Sequence, residues 1–246
     1  MIQPRAILLS LILLGSVIAG CIGPGEMRAA TSDGIASTLR FDLNKTLTER
    51  IPLLTKDGVK LDIVAFRPDV AAAGVPDEKV PILVDIGPYY GNLGGDIMKL
   101  SAIDQRLADY FGPRGYAIVR ASVRGTGLAE GCFDLGGKVE QQDVHDIVEH
   151  LASQTWSNGA VAVIGKSYDG TTPWEAAITQ PKGLKTIVPI SGITDMYRYT
   201  FHDGTTYPEN LGFETYYTLI VDQDVDAGPP PRFFGHDHAQ ENAQRR

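Results

Sequence analysis

Ala160–Ala177 reads AVAVIGKSYDGTTPWEAA. AVAVI is a short unbroken apolar run, as a strand buried on both faces would be. It meets the glycine-bracketed turn Gly165-Lys166-Ser167-Tyr168-Asp169-Gly170, and a helix follows with Pro173 tolerated in its first turn. The same signature recurs on either side: Pro81–Ile86 (PILVDI), Tyr116–Ala121 (YAIVRA) and Thr186–Ile190 (TIVPI). Between these runs lie helical patterns. Val144, Ile147, Val148 and Leu151 fall at i, i+3, i+4, i+7, and Ile103, Leu107 and Tyr110 are spaced to share a face in the same way. Ahead of them, Leu47–Leu54 and Val59–Phe66 flank Lys56-Asp57-Gly58, a hairpin signal. A hairpin followed by strand–helix alternation predicts an α/β fold, a doubly wound, mostly parallel sheet with antiparallel leading strands.

The turn at 165–170 is the strand–turn–helix context of a nucleophile elbow. In such an elbow the serine occupies a strained backbone position where neighbouring side chains would clash, which is what its glycines relieve. The following helix start brings backbone N–H groups and a positive dipole end towards the serine oxygen. A generic elbow is G-x-S-x-G. Here Asp169 takes the last glycine position and Gly170 follows, giving G-x-S-Y-x-G. An ordinary βα turn carrying a surface serine is the alternative.

G-x-S-Y-x-G resembles the form found in α/β-hydrolases of the X-Pro dipeptidyl-peptidase and cocaine esterase (CocE/NonD) type, and two further segments are similar in the same order. Gly87-Pro88-Tyr89 resembles that family's Pro-Tyr oxyanion element. Gly115–Gly131 (GYAIVRASVRGTGLAEG) resembles its Arg-Gly-x-Gly-x-x-x-Gly segment, and the similarity continues from Ala176 to Tyr197. The resemblance covers roughly residues 48–200 and implies an α/β-hydrolase sheet. It further implies that Ser167 is the acylated nucleophile, with the backbone N–H of Tyr168 and the phenol of Tyr89 as oxyanion donors. A serine hydroxyl is a poor nucleophile, and fixed donors at the developing oxyanion are worth about 2.7–4 kcal/mol each. For Tyr89, packing on Tyr90 is the structural alternative. Arg124 is expected to organise its loop by pairing with a carboxylate.

In α/β-hydrolases the triad runs Ser, then Asp or Glu, then His. Downstream of Ser167 stand Asp169, Asp195, Asp203, Asp222, Asp224, Asp226 and Asp237, with His202, His236 and His238, and none follows a buried parallel strand. In the family a helical cap intervenes here. Phe213, Tyr216, Tyr217, Ile220 and Val221 have helical spacing, and 227–246 is Pro-rich and then polar. The expectation is therefore a core incomplete at its C-terminus, with the triad Asp and His absent from this polypeptide. Asp226 with His236 is a weak alternative pairing. Loss of the base costs on the order of a millionfold in a comparable serine hydrolase.

Residues 1–21, MIQPRAILLSLILLGSVIAGC, pair a basic Arg5 with an apolar stretch at 6–18, the length of a signal-peptide core rather than a membrane span. Ile18-Ala19-Gly20-Cys21 resembles a lipobox, which implies cleavage before Cys21 and lipid on its thiol, hence anchoring at the exported face of the cell membrane. A plain secretory signal or an uncleaved anchor is the alternative. The expected organisation is a signal peptide at 1–20, a tether at 21–44, the N-terminal part of the hydrolase core at 45–194, and the start of a cap with a tail at 195–246.

Composition excludes other classes. The 246 residues carry 22 Lys+Arg against 30 Asp+Glu, a net charge of −8, which argues against nucleic-acid binding. Two cysteines cannot build a disulfide scaffold, and Cys132 reads as a half-buried loop residue. Asp222–Asp226 lacks the Gly and Glu of a calcium loop, His236-Asp237-His238 lacks a third ligand, and Asn44-Lys45-Thr46 is a sequon. No cofactor or metal is implied. Two functions remain: a membrane-tethered serine hydrolase acting on a small ester or peptide, and an inactive lipid-anchored remnant or binding domain.

Overall fold

The computed structural model describes residues 41–42, 44–90 and 97–206, all within one unit, Leu39–Arg246. Thr46–Arg50 (β1) pairs antiparallel with Ile63–Pro68 (β4), and the short strands Leu53–Leu54 (β2) and Lys60–Leu61 (β3) pair between them. The Lys56-Asp57-Gly58 signal is the tip of that hairpin, closed by the Thr55 N–H donating to the Val59 carbonyl at 2.8 Å. The alternation follows as Val80–Gly87 (β5), Ala102–Phe111 (α1), Ala117–Ser122 (β6), Lys138–Ala152 (α2), Ser157–Lys166 (β7), Thr172–Thr179 (α3) and Leu184–Ile190 (β8). Met196–Thr200 (α4) and the two-residue strands Phe201–His202 (β9) and Thr205–Thr206 (β10) come last.

The sheet order is β1-β4-β6-β5-β7-β8. β5 through β8 are mutually parallel and β4 joins β6 antiparallel, so the leading strands form the antiparallel edge. The pleat explains why the central runs are apolar throughout. Ile82, Val84 and Ile86 of β5 pack with Val144, Ile147, Val148 and Leu151 of α2, while Leu83 turns to the other face with Ala108 of α1, Ile118 and Ala162. Burying each of the four α2 side chains contributes about 1.5–3 kcal/mol. From β5 the chain crosses to β6 on one side and then back over to β7 on the other. The carboxyl ends of β5 and β7 therefore flank the crevice at the sheet's topological switch point, where open α/β sheets hold their ligands.

One expected helix face differs. Tyr110 is 51% exposed rather than buried with Leu107. Its ring lies 3.9 Å from the Arg114 guanidinium carbon, a surface cation–π contact. Asp104 and Ala108 are buried on the inward side of α1 with Leu107 packed beside Ala108, and Asp104 completes a capping box with Ser101. At the far edge of the sheet, β8 has β7 as its one partner among the described residues, and Val188 and Ile190 are exposed. Residues 1–40, including Cys21, the helical pattern at 213–221, the acidic turn at 222–226 and His236–His238 lie outside the described residues.

Candidate active site

Ser167 stands where β7 ends. Its φ of +66° is the left-handed region, which costs a non-glycine residue about 1–3 kcal/mol and is retained only where the surroundings impose it. A single 3-10 turn, Ser167–Gly170, carries the chain from β7 towards α3, and Pro173 sits in the first turn of that helix. The bend is tight enough that a Cβ on Gly165 would lie 2.2 Å from the Asp169 carbonyl oxygen, and one on Gly170 would lie 2.4 Å from that of Ile190. Both glycines are therefore required by backbone on the opposite side. Thr172 Oγ1 donates to the Ile86 carbonyl at 2.9 Å, joining the start of α3 to β5.

Tyr89 follows β5 across the crevice. Its hydroxyl donates to Ser167 Oγ at 3.3 Å and accepts from the Tyr168 N–H at 3.4 Å. Both contacts are long, so the phenol and the Tyr168 amide converge on one region beside Ser167 Oγ without satisfying each other well. The three residues singled out by sequence are thus brought together by two different strands. Ser167 is exposed, as a nucleophile approached by substrate must be. Among the described residues no histidine hydrogen-bonds Ser167.

The glycine-rich segment after β6 supports the Tyr89 loop. A Cβ on Gly127 would approach the Tyr90 carbonyl oxygen to 2.4 Å, so the two loops pass backbone against backbone. Arg124 anchors the segment with a fork of two hydrogen bonds to the Asp143 carboxylate on α2 and a third to Asp57 at 3.1 Å, the carboxylate pairing expected of it. Cys132 in this loop is half-buried.

Beneath the elbow the Tyr168 ring is buried, and its hydroxyl donates to Glu140 Oε1 at 2.6 Å. Glu175 of α3 lies beside Glu140, and its two oxygens find no hydrogen-bond donor. Burial, reinforced by the neighbouring Glu140 charge, pushes the Glu175 carboxyl up from 4.5 to about 8. The native protein thus holds a proton that the unfolded chain gives up above its ordinary carboxyl range. This stabilisation is complete below about pH 4.5 and is lost as pH rises towards 8. Glu175→Gln stays neutral throughout, so its stability relative to wild type rises with pH by about 1 kcal/mol per unit between pH 5 and 8 in urea-unfolding titrations. A difference that does not change with pH would show Glu175 to be ionised in the native state.

A cavity of about 260 Å³ opens beside Ser167 and Tyr89, with Leu107, Ile164 and Ile190 among its apolar lining and Asp85, Asp104, Asp169 and Arg120 on its polar side. A larger cavity, about 410 Å³, lies among β1, β4 and α1 and shares none of these lining residues. Sequence reasoning passed over Glu140, Thr172 and the buried acids. Glu140 had a signal, because it sits four residues before Val144 on the apolar stripe of α2. Asp85 and Arg120 had another, as charged residues inside runs otherwise apolar enough to be buried on both faces.

In sequence and fold the chain is similar to known proteins. The X-Pro dipeptidyl-peptidase (S15 family) profile matches residues 57–244. A Streptomyces avermitilis protein provisionally named as an Xaa-Pro dipeptidyl-peptidase is 35% identical over 176 residues, 60% of this chain and 25% of the relative. The cocaine esterase of a Rhodococcus species is 31% identical over 159 residues, 64% of this chain and 25% of that enzyme. Among solved structures, a CocE/NonD family hydrolase from Staphylococcus aureus superposes with a TM-score of 0.58 at 26% identity, over 72% of this chain and 33% of that one. The chain spans about a quarter of the length of these curated relatives. With three quarters of its residues within the family profile, from the hairpin tip through the elbow and beyond, the chain belongs to the X-Pro dipeptidyl-peptidase (S15) family of α/β-hydrolases.

Proposed function

We propose that this chain carries the nucleophile and oxyanion donors of a serine hydrolase that cleaves a small ester or an X-Pro peptide through an acyl-Ser167 intermediate. In that reaction Ser167 Oγ bonds to the substrate carbonyl carbon as its proton passes to a base. The carbonyl oxygen takes up negative charge between Tyr89 Oη and the Tyr168 N–H. Collapse then breaks the bond to the leaving alcohol or amine, which takes the proton, and water later releases the acid. The carrying observation is a strained, exposed serine at φ +66° whose Oγ accepts from Tyr89 Oη at 3.3 Å, while that phenol accepts from the Tyr168 N–H at 3.4 Å. Relatives named for a peptidase and for an esterase support both substrate classes.

A second reading, an inactive lipid-anchored binding domain, is favoured by one observation: no histidine among the described residues hydrogen-bonds Ser167. In either case residues 45–194 are the proposed core, and Cys21 is the proposed lipid attachment point at the exported membrane face. A fluorophosphonate probe separates the two readings. As a hydrolase the chain is labelled at Ser167 without additives. As a remnant lacking its base it is labelled only when imidazole is added to take the serine proton.

A further inference from the structure

The cavity beside Ser167 holds a feature the acyl-transfer scheme does not use. Asp85 is the acid inside the buried run of β5, on the face turned towards α1, and Asp169 is the third residue of the elbow. The Asp169 carboxyl lies hard against Gly87: a Cβ built on that glycine would fall 1.5 Å from Asp169 Oδ1. Gly87 begins the Gly-Pro-Tyr loop that carries Tyr89. Asp169 is 6% exposed, Asp85 and Asp169 line the same cavity, and their carboxyls meet. Yet Asp85 Oδ1 and Asp169 Oδ1 both lack any conventional donor. Two ionised carboxylates cannot occupy such a place, because each offers only acceptors and burial removes the water that would screen them. Among the described residues, the charged and titratable groups facing the pair are Tyr90 from the loop after β5, Asp104 from α1 and Arg120 from β6. Arg120 pairs with Asp104 at 3.2 Å and stacks its guanidinium carbon 4.0 Å from the Tyr90 ring, so one cation stands among three acids.

We infer that Asp85 and Asp169 share one proton, and that this carboxyl–carboxyl hydrogen bond clamps the turn bearing Ser167 to the strand that leads into the Tyr89 loop. Asp169 is on this account a positioning residue: it touches no reacting atom but sets the separation of the nucleophile and its oxyanion donor. Its significance for catalysis rests on the hydrolase reading above, whereas the clamp itself does not. Burial, followed by the Asp85 charge, pushes the Asp169 carboxyl well above its ordinary range, consistent with a retained proton. Raising the pH removes that proton, sets two adjacent negative charges against one another, and loosens the join between elbow and oxyanion loop.

The test uses the full chain with Asp169→Asn, Asp85→Asn and Asp169→Ala. Asparagine keeps the shape and supplies a permanent donor, so either Asn variant replaces the shared proton, while alanine removes the contact. Urea unfolding from about pH 5 to 8 should show the wild-type unfolding constant rising about tenfold per pH unit relative to both Asn variants, the signature of one proton released on unfolding. Amide exchange, corrected for its intrinsic pH dependence, should accelerate with pH at Ile86–Tyr90 and Ser167–Thr171 in wild type. It should stay constant in Asp169→Asn and be raised at every pH in Asp169→Ala. Parallel wild-type and Asn curves would overturn the shared proton, and unchanged exchange at those two segments would overturn the clamp. If Asp169→Ala fails to fold, the Asn comparison decides both points. Fluorophosphonate labelling is read separately. An unreactive Ser167 with the stated pH behaviour sinks the hydrolase and leaves the clamp, and a reactive Ser167 with parallel curves does the reverse.

Discussion

Gly170→Ala is expected to destabilise the protein by about 3 kcal/mol and to abolish Ser167 reactivity together with it. The added methyl would meet the Ile190 carbonyl oxygen at 2.4 Å, and the neighbouring Gly192 amide nitrogen lies at 3.1 Å from the same point. Neither neighbour is the end of a flexible side chain. Ile190 is held in the parallel ladder opposite Lys166, so relief requires parting β8 from β7 or the elbow from both. Gly165→Ala meets the Asp169 carbonyl at 2.2 Å inside the turn itself and is expected to behave alike. For a domain of this size the loss corresponds to a fall in Tm of about 6–12 °C. Gly159→Ala is the control. Its φ is +83° but nothing lies within 4 Å of the new Cβ, so strain without collision costs about 1 kcal/mol. Equal effects at 159 and 170 would mean that the elbow is not closely packed.

Tyr89→Phe is expected to leave the fold intact and slow fluorophosphonate capture by Ser167 about 10²- to 10³-fold, the loss of one oxyanion donor worth about 2.7–4 kcal/mol. The phenol's hydrogen bonds to Ser167 Oγ and from the Tyr168 N–H are 3.3 and 3.4 Å long, too long to carry much of the ground-state stability. The ring, by contrast, packs against the core and is kept by phenylalanine. A difference of less than threefold in labelling rate, with unchanged Tm, would remove Tyr89 from the oxyanion site and leave it as a packing residue on its loop.

The order of elements was legible because each strand is short, apolar and separated by a helix whose buried stripe has a single period. Val144, Ile147, Val148 and Leu151 are fully buried, as their spacing requires. The elbow was legible because few residue types fit a bend this tight, and its glycines advertise the backbone contacts at Asp169 and Ile190. Tyr110 misled because helical spacing does not say which way an amphipathic aromatic turns when a cation four residues on can cover it. The buried acids were less visible for a different reason. Asp85, Arg120 and Asp104 come from three elements distant in sequence, and only the strand register of β5 with β6 brings Asp85 opposite Arg120. Pairing of that kind is a property of topology. For the base of Ser167 the sequence offers only an expected absence, because no local pattern after residue 191 repeats the strand–loop context in which such a residue is held.

The account stands on Ser167 being the reactive oxygen. The most direct measurement treats the folded chain with a fluorophosphonate, with and without imidazole, and maps the modified peptide by mass spectrometry. The account predicts one adduct, on Ser167, absent from Ser167→Ala and slowed in Tyr89→Phe. An adduct on any other residue, or none under either condition in a chain shown to be folded, would contradict it.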